Sequence, residues 1–316
     1  MIIIFLTTIH LCTNTRPHNN QHDLITYSSE EMKAHKERCA KSISLNPSNI
    51  SDPAYSMPRA LASLAGNDCD YIPKVIGAGE IFYDTTPPYQ LMHNGVKVIL
   101  KSYYDSQWLT DVIHGLKGHH EPQEEKCFYE VLKYMPENAT MIELGSYWAY
   151  YSLWFASEVK GAKNFLIEPD PKRLDIGKKN FELNGKQGVF KRGYAGEIQD
   201  KDPDIQGAER ISIDDFMDTH GITHVNILHS DIQGSEADML QTTVRHLDNI
   251  DYFFISTHPV ETAHIPCLKF LKDHGFIILA EHTVYESFGG DGLIVARRKG
   301  VAGPDHIEIS KYSPTK

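Results

Sequence analysis

From about residue 139 onward, short apolar runs alternate with segments whose apolar residues recur at helical spacing. That alternation predicts parallel βα units packed as a Rossmann-like α/β sheet. The runs are 140–145 (TMIELG), 164–168 (NFLIE), a weaker one near 188–192, 224–230 (HVNILHS), 251–257 (DYFFIST), 276–281 (FIILAE) and 292–297 (GLIVAR). Between the first two, Tyr151, Trp154 and Phe155 share a helical face. Asp170 can cap a helix that opens on Pro171, carries Leu174, Gly177 and Phe181 on one side, and stops at Asn184-Gly185. A helical piece is expected over 213–219. Ser235-x-x-Asp238 resembles a capping box, and Ala237, Leu240, Val244 and Leu247 then repeat at helical spacing. Ile265, Leu268 and Leu271 mark a further helix ended by His274-Gly275. About ten residues separate the last two strands, too few for a crossover helix. That pair is therefore expected as an antiparallel hairpin. The result is a seven-stranded sheet, mostly parallel, with one strand reversed.

The first ninety residues lack this rhythm. Residues 1–12 are apolar but only about half the ~20 residues that span a bilayer. A buried or irregular start is favoured there, with a targeting or anchor segment left open. Residues 30–43 predict one exposed helix, Pro47, Pro53 and Pro58 interrupt, and 59–66 predict a short helix stopped by Gly66. The expected division is an accessory region over 1–90, partly disordered or irregular, and a catalytic-type domain over 91–316. Asn49-Ile-Ser51 and Asn138-Ala-Thr140 match the glycosylation triplet, a pattern common by chance.

Composition narrows the class. Of the 316 residues, 41% are hydrophobic and 23% charged, which excludes a disordered chain, a collagen, a coiled coil and a polytopic membrane protein. The net charge of -11 disfavours duplex nucleic acid as a partner. Five cysteines without a Cys-x-x-Cys pair predict reduced thiols of a cytoplasmic protein, not a disulfide scaffold or a Cys-rich zinc site.

In open parallel sheets, ligands bind beyond the carboxyl ends of the strands. The first strand ends Glu143-Leu144-Gly145-Ser146. Gly145 lets a ligand approach the backbone, and Glu143 is a carboxylate inside an apolar strand that needs a partner. The second ends Glu168-Pro169-Asp170, and Glu168 follows Gly145 by 23 positions, about where nucleoside-binding folds hold a ribose diol. The fourth and fifth end at Asp231 and at His258, an acid and an imidazole expected side by side. Either could accept a proton from a hydroxyl, or serve only as a cap and a backbone partner.

Taken together, MHNGVKV (92–98), GHHEPQEE (118–125), MIELGSYWAYYSLWF (141–155), IEPDP (167–171), NFELNG (180–185), HSDIQGSEADML (229–240) and STH (256–258) resemble the FkbM-type branch of S-adenosylmethionine-dependent methyltransferases, over about residues 91–298. The resemblance implies the class I methyltransferase fold, S-adenosylmethionine as cofactor, and methyl transfer to an oxygen on a sugar, a glycan or a small metabolite. By position it implies Glu143, Gly145, Ser146 and Tyr147 beside the methionine moiety and Glu168 on the ribose. Tyr194, Ala195 and Gly196 would cover the adenine edge, Asp231 would face the methyl group, and Gln123 and Glu124 would close over the cofactor. Asp231 and His258 are the candidate catalytic pair. One departure stands out: the family's loop carries glycines two and four places after the first, where this chain has Tyr147 and Ala149. Tyr147 is expected to narrow the methionine site.

No metal is expected, since His258-x-x-Glu261-x-x-His264 matches no established zinc spacing. His119, His120, His224 and His229 are expected to be structural or exposed. Trp108, Trp148 and Trp154 are expected to pack, with Trp148 near enough to the loop to touch a ligand. Two other functions fit some of these features: a nicotinamide-dependent oxidoreductase, disfavoured by the missing Gly-x-Gly-x-x-Gly, and a non-catalytic binding protein on the same fold.

Overall fold

The computed structural model describes residues 23–45, 53–103, 107–196 and 207–313. The apolar start at 1–12 and the Asn49 triplet lie outside the described residues.

The central sheet is built from β1 (Thr140–Leu144), β2 (Lys163–Glu168), β3 (Val189–Tyr194), β4 (Glu209–Arg210), β5 (Val225–Ser230), β6 (Ile250–Thr257), β7 (Ile277–His282) and β8 (Gly292–Arg297). Their order across the sheet is β7-β8-β6-β5-β1-β2-β3-β4. The sheet thus has eight strands, not seven. The extra one, β4, is two exposed residues pairing with the end of β3, too short to leave a periodic signal. β8 runs antiparallel to both β6 and β7, which gives the expected hairpin and the reversed strand. β1, β5 and β6 are buried at every position, so they read as continuous apolar runs and not as alternation.

Helices cover both faces. On one side α4 (Pro122–Leu132), α5 (Tyr150–Glu158) and α6 (Pro171–Leu183) join a core that includes Phe128, Trp154, Phe181 and Phe254. The same core takes in Ile43 of α1 (Ser29–Leu45), Leu64 of α2 (Pro53–Ala65) and Val112 of α3 (Gln107–Gly115). On the other side α7 (Ile213–His220), α8 (Glu236–Gln241) and α9 (Ile265–Asp273) enclose Phe216, Met239, Phe253 and Leu271. Residue 91 lies at the end of a short strand, Tyr89–Leu91, which pairs with Lys97–Ile99.

The asparagines of NFELNG do specific work. Asn180 and Asn184 accept the backbone N–H of Ile99 and Lys97, each at 2.9 Å. Asn180 also donates to the Trp148 carbonyl at 2.9 Å, so α6 fastens the small sheet and the turn after β1 at once.

The expected helix through Leu247 stops at Gln241 instead. Ser235 is its first flanking residue but makes no side-chain cap bond, so the capping-box reading does not hold. Asp214 explains the stop: its carboxylate accepts from the N–H groups of Val244, Arg245 and His246, which a continuing helix would have used internally. Val244 is left exposed.

Candidate functional site

The strand order reverses between β1 and β5, and there a cavity of about 500 Å³ opens at their carboxyl ends. Its size falls within the roughly 300–1,000 Å³ of small-molecule sites. Gly145 brings the two rims together. Its φ is 72°, and a Cβ there would run into the Asp231 carbonyl. The Asp231 N–H in turn donates to the Leu144 carbonyl at 3.0 Å.

The turn after β1 keeps the backbone shape glycines would favour. Tyr147 and Ala149 both have positive φ, 37° and 63°. Left-handed backbone at non-glycine residues costs roughly 1–2 kcal/mol each. Glu168 helps hold the turn: its carboxylate accepts the Tyr147 N–H and the Asp170 N–H, each at 3.0 Å. The Tyr147 ring lies against the Arg173 guanidinium, 4.7 Å from its centroid, and so forms a wall and not a plug. Tyr103 stacks on Trp148 at 4.7 Å and extends that wall.

Seven of the residues singled out from sequence, Glu143, Gly145, Ser146, Tyr147, Glu168, Ala195 and Asp231, line this one cavity, together with Tyr194 and Trp148. Gln123, Glu124 and His258 do not. Gln123 instead clamps the carboxyl-terminal loops, donating to the carbonyls of Glu286 (3.0 Å) and Ser310 (2.7 Å) and accepting from the Phe288 N–H (2.9 Å). Glu124 lies behind the wall, on His229 Nε2 at 2.8 Å and the Ser256 hydroxyl at 3.0 Å.

His258 is held between Asp291 (2.6 Å) and Glu236 (3.2 Å). Burial opposes its charge, but those two carboxylates prevail and push its pKa up to about 11. It does not line the cavity, and each of its ring nitrogens already faces a carboxylate.

Asp231 behaves differently. Burial, with Asp291 nearby, raises its carboxyl to about 7. Glu143 is raised to about 7 by burial, against the pull of His229 and of the Ser152 N–H that it accepts at 3.2 Å. Both carboxyls sit at the edge of ionisation, and a cation entering the cavity would draw them into the charged form.

Several lining residues escaped the sequence reading: Tyr103, His120, Glu121, Tyr151, Arg173 and His229. His120 is buried 3.2 Å from Glu121 and 2.7 Å from Glu125; burial opposes its charge, yet the carboxylates lift its pKa to about 10. Its position within GHHEPQEE was visible, but two adjacent histidines do not reveal which one faces a cavity. Among the buried polar atoms on lining residues that have no hydrogen-bond partner are the Ser146 hydroxyl and His229 Nδ1. Buried polar groups are rarely left this way, so both fit a polar ligand.

Among the described residues, the two groups that could hold a metal ion are His35/Cys39/His114 and Cys69/His119/Glu125, both outside this cavity. No described helix is long and apolar enough to cross a membrane.

Residues 138–278 match the family model described as the methyltransferase FkbM domain. No curated protein matches the chain. Among solved structures, the TrmK of M. capricolum in complex with S-adenosyl-homocysteine is similar at 16% identity, over 58% of this chain and 71% of that one, with a TM-score of 0.36. A putative rRNA-methylase from Clostridium thermocellum is similar at 11% identity, over 55% and 94%, with a TM-score of 0.41. A precorrin-6y C5,15-methyltransferase from Geobacter metallireducens is similar at 13% identity, over 54% and 87%, with a TM-score of 0.37. Residues 138–278, where β1, β2, β3 and β5 bring their ends to the cavity, are thus the part of the chain that is similar to the methyltransferase FkbM domain.

Proposed function

We propose that the chain transfers a methyl group from S-adenosylmethionine to a hydroxyl oxygen of a sugar, glycan or small metabolite. The observation that carries this reading is the cavity at the strand-order reversal, within the span that matches the methyltransferase FkbM domain, lined by both Glu168 and Asp231. When bound there, the cofactor supplies an electrophilic methyl group on a sulfonium. Glu168 has lone pairs left beyond its two backbone bonds and can accept the ribose hydroxyls. Tyr194 and Ala195 lie along the neighbouring wall, suited to the adenine. Glu143, Asp231 and Glu121 favour the positive charge of the sulfonium and the ammonium. The unpartnered Ser146 hydroxyl is free to bond the methionine moiety.

Asp231 takes the catalytic role and His258 a positioning one. An alcohol needs a base, and Asp231, with a pKa near 7, is matched to that task. His258 compensates the charge of Asp291 and Glu236 behind it. The accessory region proposed over residues 1–90 packs, through its described helices α1 and α2, on the domain from residue 91 onward.

Labelled S-adenosylmethionine supplied with pools of glycans, hydroxylated metabolites and transfer RNA tests the acceptor class. The expected label appears in a hydroxyl acceptor, with a rate that rises as pH passes about 7. Asp231→Asn is expected to lose turnover by a far larger factor than affinity for S-adenosylhomocysteine, which has no sulfonium charge. Label in RNA or in an amine, or full turnover by Asp231→Asn, would contradict the reading.

A further inference from the structure

A second cluster of side chains lies away from the cavity, where α1 meets the last turn of α3. His35 and Cys39 are one turn apart on α1, and this spacing puts them on one face of the helix. Cys39 Sγ is 3.7 Å from His35 Nε2. The His35 and His114 rings meet edge to face with centroids 5.2 Å apart. One donor atom from each of His35, Cys39 and His114 lies within 4.8 Å of the others. Nitrogen and sulfur ligands of tetrahedral zinc, at roughly 2.0 and 2.3 Å from the metal, are on the order of 3.5 Å apart. The observed 3.7 Å meets that requirement without backbone movement. A carboxylate is also at hand: Glu80 Oε1 is 3.7 Å from His114 Nδ1 and 3.9 Å from Lys117 Nζ.

The helices can approach this closely because position 115 is glycine. A Cβ on Gly115 would strike the Leu64 side chain and come within 3.2 Å of Cys39 Cβ. We propose that His35, Cys39 and His114 form a zinc site that fastens α1 to α3, with Glu80 or water as the fourth ligand. Thiolate and imidazole donors suit zinc and disfavour magnesium and calcium, which prefer oxygen ligands. The cluster is half-buried, so an ion can enter. His35 Nε2 now donates to the His114 carbonyl at 3.1 Å, so metal binding exchanges that bond for an N–Zn bond and moves the ring proton to Nδ1. Binding breaks the Cys39 S–H bond, forms an S–Zn bond and releases the proton to solvent. The alternative cluster of Cys69, His119 and Glu125 is sealed from solvent. There, Glu125 already accepts from His120 N–H (2.7 Å), Glu121 N–H (3.1 Å) and the His119 ring.

Cobalt titration of the metal-stripped full chain tests the site. One equivalent of Co²⁺ is expected to give a thiolate-to-cobalt charge-transfer band, and Zn²⁺ is expected to displace it and raise the melting temperature. Cys39→Ser should abolish the band with the fold intact, and His35→Ala and His114→Ala should each weaken Zn²⁺ binding at least tenfold. Cys69→Ser, as a control, should leave the band unchanged. Absence of the band in the wild-type chain, or its persistence in Cys39→Ser, would overturn the proposal. Neither result depends on methyl transfer.

Discussion

Replacing Glu168 by Gln tests how the cavity recognises a nucleoside. The side chain is buried, and its two oxygens accept separate backbone N–H groups, from Tyr147 and from Asp170, each at 3.0 Å. A glutamine of the same size offers one oxygen and one NH₂. The oxygen can keep one of those bonds, while the NH₂ faces the other N–H as donor against donor. The loss extends to the ligand, because the neutral amide also gives up its charge-assisted bonds to the ribose hydroxyls. Bonds of that type contribute about 1.5–3 kcal/mol. At about 1.4 kcal/mol per decade, the affinity for S-adenosylhomocysteine should fall about 10- to 150-fold. Titration calorimetry of the wild type and the variant measures this directly, and thermal unfolding of the same preparations shows whether the turn after β1 has survived. Unchanged affinity in a folded Glu168→Gln would mean that the ribose is held elsewhere. A fall in stability with no fall in affinity would reduce Glu168 to a fastener of the turn.

The cation at His258 has its own signature. Its pKa is raised in the fold, so its contribution to stability is complete below about pH 6.5 and is lost as pH rises through about 11. His258→Ala strands Glu236 and Asp291, though Arg59 still reaches Asp291 at 3.1 Å; denaturant unfolding should show a loss near the lower end of about 3–5 kcal/mol. Cofactor affinity should be unchanged, because His258 does not line the cavity. Asp231 and Glu143 give a slope of the same sign in a lower window: acids whose pKa is raised to about 7 in the fold hold protons that the unfolded chain releases, so they make stability fall as pH rises from about 4 to about 7. Asp231→Asn should flatten that slope in urea unfolding series at pH 5 and pH 7.5, and an unaltered slope would rule out a raised pKa at Asp231. Gly145→Ala forces a Cβ against the Asp231 carbonyl and should weaken S-adenosylhomocysteine binding at least tenfold, with about 1–3 kcal/mol lost from stability.

Most of the sheet was legible because its strands are continuous apolar runs and its helices carry ordinary stops. The hairpin of β7 and β8 followed from chain length alone, since no crossover helix fits between them. β4 left no trace, because two exposed residues have no period. The early end of α8 was hidden for a different reason: it depends on Asp214, a residue about thirty positions away that captures three backbone N–H groups. At the cavity, Glu143, Gly145, Glu168 and Asp231 could be singled out because topology alone puts strand ends together. His120, Glu121 and His229 could not, because they reach the cavity through the packing of α4 and the facing of β5. The Tyr147 and Ala149 departure was legible as a change of residue, but only the backbone shows that the turn keeps its left-handed shape regardless. The surroundings of His258 could not be read from sequence, because its partner Asp291 sits in the glycine-rich turn before β8.

Titration of the purified full chain with S-adenosylhomocysteine tests the central claim most directly. The account predicts one saturable site, a rise in melting temperature on binding, and competition by S-adenosylmethionine but not by a nicotinamide dinucleotide. No heat and no thermal shift at millimolar ligand, on folded protein, would contradict it.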